Sequence, residues 1–263
     1  MKVSAMDSRA AVNWGQVAYV YGSFLGVFLL LEGAAVGFIK ETADRGAFVV
    51  TGFRSNFGII GLAIVANIFG EDGLSKAALL LALIVPLFNV LSVISLSLPH
   101  GEKQPLAFRK MTLEILRNPL IIAVVLGLLT AASGAAVPPI IAKTGDYLAA
   151  VTLPLALLAI GGALDFSYLQ HFSPVSISAT LCKIVLMPLL LTPGALLLNL
   201  SAEEVIIMYV LFACPSAVAS FIMVKAMGGN DKLAGSVILL TTSLSVLTIS
   251  AGIFIMKASG YLS

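Results

Sequence analysis

The sequence predicts an all-α polytopic membrane protein of about eight transmembrane helices, two of which are interrupted near their middle. Hydrophobic residues make up 59% of the 263 residues and charged residues only 11%, whereas soluble domains carry about 25% charged residues. The mean hydropathy is +1.07, and a soluble protein could not bury that much apolar surface. A window of about 19 residues finds apolar segments at 17–39, 46–70, 77–98, 119–137, 147–165, 175–199, 204–226 and 233–256.

Several other classes of protein are not expected from this composition. The net charge of +2 is too small to indicate nucleic acid, and the two cysteines, Cys182 and Cys214, lie inside predicted helices. Neither a disulfide framework nor a metal site is therefore predicted. His100 and His171 fall in loops, and the chain has no HExxH, GxSxG or phosphate-binding loop pattern. We expect no enzyme and no cofactor. The polar N-terminus predicts no cleavable signal peptide.

The first predicted helix, 17–39, carries one ionisable residue in an otherwise apolar run. Glu32 lies between two patterns of small residues, GSFLG and GAAVG, which allow close contact between helices. A carboxylate inside a membrane is costly and is by default a functional hypothesis. Glu32 is therefore a candidate proton or cation site. The alternative is a protonated or paired glutamate with a structural role.

The second segment, 46–70, is the first of the two interrupted helices. Glycines and polar residues crowd its centre at 52–61, and each glycine weakens a helix by about 1 kcal/mol relative to alanine. Arg54 and Asn56 place hydrogen-bond donors where lipid offers no partner. Asn56 is the stronger functional candidate, because Arg54 could also be a loop residue or extend its side chain to the membrane interface.

The third segment, 77–98, contains Pro86 and Asn89, which predict a kink supported by a local hydrogen bond. A polar connector at 99–118 follows. Cytoplasmic loops are enriched in lysine and arginine, and the connector carries Lys103, Arg109, Lys110 and Arg117. We therefore predict that the connector faces the cytoplasm. Its side of the membrane collects eight lysines and arginines against five on the other, which places both termini outside.

The next three segments, 119–137, 147–165 and 175–199, are ordinary spans apart from one lysine. Pro119 suits the first turn of a helix. Lys183 lies about eight residues into its segment, roughly 12 Å along the helix axis. Its side chain could reach the interface or face the protein interior, and the interface is the favoured interpretation.

The second interrupted helix, 204–226, has the stronger break signal. Proline removes a backbone donor and clashes with the preceding turn, so Pro215 should interrupt the helix between Cys214 and Ser216. Ser220 adds a further hydroxyl. In a membrane, freed backbone groups are tolerated only where protein buries them or a wet cavity reaches them.

The two interrupted helices belong to an internal repeat in the predicted order of spans. Each follows a span with one ionisable residue and precedes a helix that begins with a lysine. Five spans separate each element from its counterpart, so the second copy is inverted. We predict a first repeat of three helices at 1–98, a cytoplasmic connector at 99–118 and a second repeat of five helices at 119–263. Paired interrupted helices indicate the central binding site of a transporter.

Four stretches of sequence resemble the auxin efflux carrier family, which includes plant auxin exporters and bacterial permeases for malonate and malate. They are FRSNFGIIGLAI, RNPLIIAVVLGLL, TLPLALLAIGGAL and CPSAVASFIMVKAMGGNDKLAGSVILLTTSLSVLT. The resemblance implies ten helices in two inverted repeats of five, with the fourth and ninth helices broken and crossing near the membrane centre. It also implies a distant relation to bile-acid/sodium symporters. The present chain is expected to lack the first two helices of that plan.

The resemblance also implies which residues contact the substrate. The asparagine of the first crossing helix falls on Asn56, and the proline of the second falls on Pro215, which Ser216 and Ala217 follow. The family usually has Gly-Leu-Pro where this chain has Gly61-Leu62-Ala63. We therefore expect a weaker kink in the first crossing helix than in the second.

Sequence pattern and resemblance together predict a secondary active transporter of small organic anions that works by alternating access in the bacterial inner membrane. Candidate substrate-binding residues are Arg54, Ser55, Asn56, Pro215, Ser216, Ala217 and Ser220. Glu32 is the candidate for proton coupling. The predicted partners are the organic anion, H⁺ or Na⁺, membrane lipid and a second copy in a homodimer. The alternatives are a sodium-coupled symporter of the bile-acid type and a channel or membrane subunit without a transport cycle.

Overall fold

The computed structural model describes residues 13–97, 138–163, 167–168, 172–198 and 200–261, together with six single positions between 122 and 133. Within these residues the chain forms nine α-helices and two π-helical turns. The π-helical turns are Phe57–Gly61 and Cys182–Leu186. The helices are α1 Trp14–Phe38, α2 Thr42–Phe53, α3 Leu62–Ser97, α4 Pro139–Ala163, α5 Pro174–Leu181, α6 Met187–Leu196, α7 Ala202–Ala213, α8 Val218–Ala226 and α9 Asp231–Ala258.

The predicted all-α membrane class is confirmed, and the number of helices is confirmed in part. Four helical stretches among the described residues are long and apolar enough to cross a membrane: Trp14–Phe38, Phe57–Ser97, Pro174–Leu196 and Asp231–Ala258. The segments 46–70 and 204–226 are each divided into two helical arms. The connector 99–118 and most of the span 119–137 lie outside the described residues. The predicted repeat boundaries stay a prediction.

Gly70 divides α3 into two helical parts, as the separate segments 46–70 and 77–98 predict. Its backbone has φ 65° and ψ −147°, a conformation that only glycine adopts without strain. The chain therefore changes direction at one residue, and helical structure continues on both sides. The part before Gly70 completes the first interrupted helix, and the part after it is the third predicted span.

Four phenylalanines from four helices form the centre of the core. Phe24 of α1 lies 4.8 Å from Phe88 of α3 and 5.7 Å from Phe212 of α7, measured between ring centroids. Phe53 of α2 lies 6.0 Å from Phe88. All four side chains are buried. This cluster joins the first arms of both interrupted helices, α2 and α7, to their neighbours.

The outer faces of the helices are apolar, as contact with lipid requires. On α1, Leu30 and Phe38 are 73% and 88% exposed. The glycines of the GSFLG and GAAVG patterns lie on open surface, because a Cβ atom built on Gly22, Gly26, Gly33 or Gly37 would meet no atom within 4 Å. The close helix contact that these patterns allow is therefore not made in the described part of the chain.

The hydrogen bonds near Pro86 also differ from the local bond that the sequence predicts. The Asn89 side chain does not bond to its own helix; its Oδ1 atom accepts a hydrogen bond from Arg54 at 2.8 Å. The hydroxyl of Tyr21 on α1 donates instead to the carbonyl of Leu83 at 2.5 Å. That carbonyl lies three residues before the proline, where the ring disturbs the helical hydrogen bonds.

We expect Gly61→Ala to destabilise the protein while Gly22→Ala does not. A Cβ atom on Gly61 would lie 2.2 Å from Cδ2 of Phe57, and the ring of Phe57 is fully buried and has no room to move. Overpacking of this kind typically costs about 1–3 kcal/mol. Thermal unfolding of the purified protein in detergent should show a lower Tm for Gly61→Ala only. Equal Tm values for the two variants would contradict this packing.

Candidate functional site

The second interrupted helix breaks because Pro215 cannot continue α7. A residue before proline is disfavoured in the helical conformation, and Cys214 accordingly has φ −54° and ψ 144°. The extended backbone runs through Ser216 to Ala217, and α8 then begins at Val218. The break therefore lies at the residues that the sequence predicts, and its cause is local.

The first interrupted helix breaks at Arg54, Ser55 and Asn56 without a proline. Arg54 has φ −73° and ψ 123°, and Asn56 has φ −79° and ψ 44°. A π-helical turn follows at Phe57–Gly61. The absence of the family's proline at Ala63 does not remove the break, which lies several residues earlier. The expectation of a weaker kink in the first crossing helix is therefore wrong, since both helices are fully interrupted.

The two breaks pair with each other as a short antiparallel bridge. Ser55 faces Ser216 across this bridge. The amide of Asn56 donates to the carbonyl of Pro215 at 2.8 Å, and the amide of Ala217 donates to the carbonyl of Arg54 at 3.1 Å. Each break thus supplies the other with the backbone partners that its own helix has lost. We call this pairing of 54–56 with 215–217 the crossing.

Three further backbone groups at the second break bond to side chains from other parts of the fold. The carbonyl of Leu211 would accept from residue 215 in a continuous helix, but proline has no N–H group. Ser55 Oγ donates to this carbonyl at 2.6 Å. The carbonyl of Phe212 accepts instead from Lys183 Nζ at 2.8 Å. The amide of Ser216 donates to Oγ1 of Thr241 on α9 at 3.1 Å.

Arg54 lies in the non-helical break just before a further helix, as the loop interpretation predicts, but its side chain is buried, so the interface interpretation is wrong. The residue is only 8% exposed. Its Nη2 atom donates to Asn89 Oδ1 at 2.8 Å, and Nη1 donates to Ser92 Oγ at 3.3 Å and contacts Met223 Sδ at 2.9 Å. All three partners are neutral. No carboxylate among the described residues forms an ion pair with the guanidinium.

Several polar groups at the crossing are buried without a hydrogen-bond partner among the described residues. They are Nδ2 of Asn56 and the hydroxyl groups of Ser216 and Ser220. The half-helices that begin at Phe57 and Val218 also lack a capping side chain, so their first amides have no acceptor from a cap. Unpaired buried donors are uncommon in folded proteins and mark the crossing as a place where a ligand could bind.

The structure brings together seven of the eight candidate residues at or beside the crossing. The exception is Glu32 on α1, which shares no hydrogen bond or ion pair with the other seven. Its side chain is half-buried, and its Oε1 atom has no partner in the described part of the chain. The hydroxyl group of Ser55 and the amide of Ala217 already donate to carbonyl groups. Pro215 contributes its carbonyl to the pairing.

Two residues that hold the crossing, Lys183 and Thr241, are not among the candidates predicted from the sequence. Lys183 is fully buried at its π-helical turn, so the favoured interpretation that it reaches the membrane interface is wrong. In the sequence, Thr241 is only one of several residues with a hydroxyl group in the apolar run of α9. One signal was available for Lys183. Pro215 frees carbonyl groups in the membrane, and those groups require a donor from elsewhere in the chain.

We expect Thr241→Val to weaken the fold, because it leaves the buried amide of Ser216 without an acceptor. Such a loss costs about 1–3 kcal/mol, and valine preserves the shape of the side chain. Thr242→Val is the matched control, because Thr242 is the next residue along α9 and its side chain is only half-buried. Thermal unfolding in detergent should separate the two variants, and an unchanged Tm for Thr241→Val would contradict the assigned hydrogen bond.

The chain is similar in sequence to known membrane transport proteins. A family model described as membrane transport protein matches residues 6–253. An uncharacterized transporter of Methanocaldococcus jannaschii is 24% identical over 231 residues, which cover 86% of this chain and 73% of the relative. The chain is an integral membrane protein by this match and by its apolar helices. It belongs to the membrane transport protein family, the family of the auxin efflux carriers that its motifs resemble.

Proposed function

We propose that the protein is a secondary active transporter of small organic anions and that the anion binds at the crossing. The observation that carries this proposal is the buried guanidinium of Arg54, whose described partners are all neutral. A buried charge without a counter-ion is costly inside a membrane. A carboxylate substrate would supply that counter-ion, and arginine binds carboxylates through two parallel hydrogen bonds.

The unpaired groups near the crossing support an anion in the same place. Nδ2 of Asn56 and the hydroxyl of Ser216 have hydrogen atoms to donate and no acceptor among the described residues. The positive ends of two half-helix dipoles, at Phe57 and Val218, lie next to the break. In this proposal Arg54, Asn56 and Ser216 bind the carboxylate. Ser55, Pro215 and Ala217 hold the crossing, and Ser220 lines its second arm.

Alternating access is supported by the way the two interrupted helices run. The start of α2 meets the end of the second interrupted helix, where Asn230 Nδ2 donates to Asp44 Oδ1 at 2.7 Å. At the other end, Lys76 forms an ion pair with Glu203 in the first turn of α7. The two helices therefore cross in opposite directions, as inverted repeats require. On each side, the ends of the two interrupted helices meet through polar contacts that could separate when that side opens.

Proton coupling through Glu32 forms part of the proposal. Its carboxylate lies within the apolar helix α1, and Oε1 is buried without a described partner. A carboxyl group in that setting can carry a proton across the apolar region when the protein changes conformation.

We expect Arg54→Gln to reduce malonate uptake by reconstituted vesicles about 10- to 100-fold, because the variant loses charge-assisted hydrogen bonds to the substrate. Arg45→Gln makes the same chemical change near the start of α2, away from the crossing, where the Nε atom of Arg45 donates to the carbonyl of Ile39. Uptake by Arg45→Gln should stay close to that of the unaltered protein. The probes are radiolabelled malonate and radiolabelled malate.

Two smaller changes test the same site. Asn56→Ala and Ser216→Ala each remove a donor that has no partner in the described structure, so we expect both to raise the KM for malonate. Ser23→Ala on α1 serves as a control for the loss of a hydroxyl group. Uptake that is unchanged in both site variants would reject the crossing as the anion site.

We expect Glu32→Gln to abolish uptake driven by a proton gradient while exchange of labelled for unlabelled malonate continues. Glutamine keeps the shape of the side chain but cannot gain or lose a proton in the physiological range. Uptake should be compared with and without an imposed pH difference across the vesicle membrane. A variant that still responds to the pH difference would remove Glu32 from the coupling step.

A further inference from the structure

The end of α7 is the place in this fold where a bound cation would be expected. In transporters with interrupted helices, freed carbonyl groups and the negative ends of half-helices coordinate Na⁺. At the end of α7, the carbonyl of Leu211 has no helical partner because Pro215 lacks an N–H group, and the carbonyl of Phe212 has none because the amide of Ser216 bonds to Thr241. A carbonyl freed at mid-membrane depth must find a donor or a cation, and Ser55 takes only the first of these two.

The second carbonyl accepts a hydrogen bond from a lysine side chain. Lys183 is fully buried, and its Nζ atom lies 2.8 Å from the carbonyl oxygen of Phe212. The sulfur of Met187 lies 3.8 Å from the same Nζ atom. No carboxylate in the described part of the chain pairs with this lysine. The lysine therefore bonds to the end of a half-helix rather than to an acidic residue.

We propose that the ammonium group of Lys183 is a tethered cation that takes the place of Na⁺ at the second break, so that the transporter works without sodium. This inference rests on the proposed transport function. An ammonium group is a compact point charge with three donors, and it is stabilised by the negative end of a helix dipole as a metal ion would be. Being part of the chain, it occupies the site at any sodium concentration.

The tether also connects two regions of the protein. Lys183 belongs to the π-helical turn Cys182–Leu186 between α5 and α6, and Phe212 belongs to the first arm of the second interrupted helix. A free ion can leave such a site in each cycle, whereas a tethered one cannot. The carbonyl of Phe212 therefore stays satisfied, and Lys183 acts as a positioning residue that fixes the end of α7 beside the crossing.

The test compares the unaltered protein with Lys183→Ala, which empties the site, and Lys183→Arg, which keeps a permanent cation. Lys225→Ala is the control for loss of a lysine, since the Lys225 side chain on α8 is 65% exposed. Thermal unfolding is measured in detergent with equal concentrations of sodium, potassium or N-methylglucamine chloride. Should Lys183→Ala fail to fold, Lys183→Ser also empties the site and leaves a hydroxyl group that can ligate sodium.

We expect the Tm of the unaltered protein, Lys183→Arg and Lys225→Ala to be the same in all three salts. Sodium should raise the Tm of Lys183→Ala or Lys183→Ser by about 2–4 °C over N-methylglucamine. Propylammonium, which replaces the lost side chain, should raise it likewise. Malonate uptake by the unaltered protein should be equal with sodium and with N-methylglucamine.

Two results would overturn the inference. One is a Tm or an uptake rate of the unaltered protein that depends on sodium. The other is a variant lacking the lysine that folds and gains nothing from either sodium or propylammonium. The Tm measurements need no substrate, so they decide the role of Lys183 even if malonate is not transported. Failure of uptake alone would instead count against the proposed substrate.

Discussion

The break of the helix at Pro215 is the constraint on which the rest of the crossing depends. In water, a broken helix end would bond to solvent, but in a membrane each freed group needs a partner from the protein. The chain provides these partners from three separate elements. Ser55 comes from the first break, Lys183 from the turn between α5 and α6, and Thr241 from α9. One imino acid thus dictates contacts with three other parts of the fold.

The same constraint explains why the first interrupted helix needs no proline. The amide of Asn56 would bond to the carbonyl of residue 52 in a continuous helix, but Pro215 offers it a carbonyl acceptor at 2.8 Å. The carbonyl of Arg54 in turn accepts from Ala217. The first break therefore depends on the second, and the nearby glycines lower the stability of the helical alternative. Pairing between the breaks replaces the local signal that the family's proline would give.

The positions of the breaks could be predicted from the sequence because their causes are local. Proline at 215 and the glycine-rich run at 52–61 act on their own backbone, and the apolar spans around them set the membrane class. The partners of Arg54 and Lys183 could not be predicted. A buried cation and one that reaches the interface have the same sequence pattern, and only the packing of distant helices distinguishes them.

The packing of the α1 glycines could not be predicted from the sequence either. A small-xxx-small pattern permits close helix contact but does not require it, and in the described structure these glycines face open surface. Gly61 has no such pattern, yet the ring of Phe57 fills the space beside it. Whether a position requires glycine depends on the side chain that packs beside it. That side chain is known only from the three-dimensional structure.

The crossing combines rigid helices with a weak connection between them. Two backbone hydrogen bonds link the breaks, and each contributes only about 1 kcal/mol net where an alternative partner is available. The helical arms, by contrast, have their own internal hydrogen bonds and apolar packing. In the proposed function, a substrate anion would bond to side chains of Arg54, Asn56 and Ser216, which lie on both sides of the crossing. Binding of the anion and rearrangement of the arms would then be coupled, because the backbone groups of Arg54 and Asn56 also form the hydrogen bonds between the breaks.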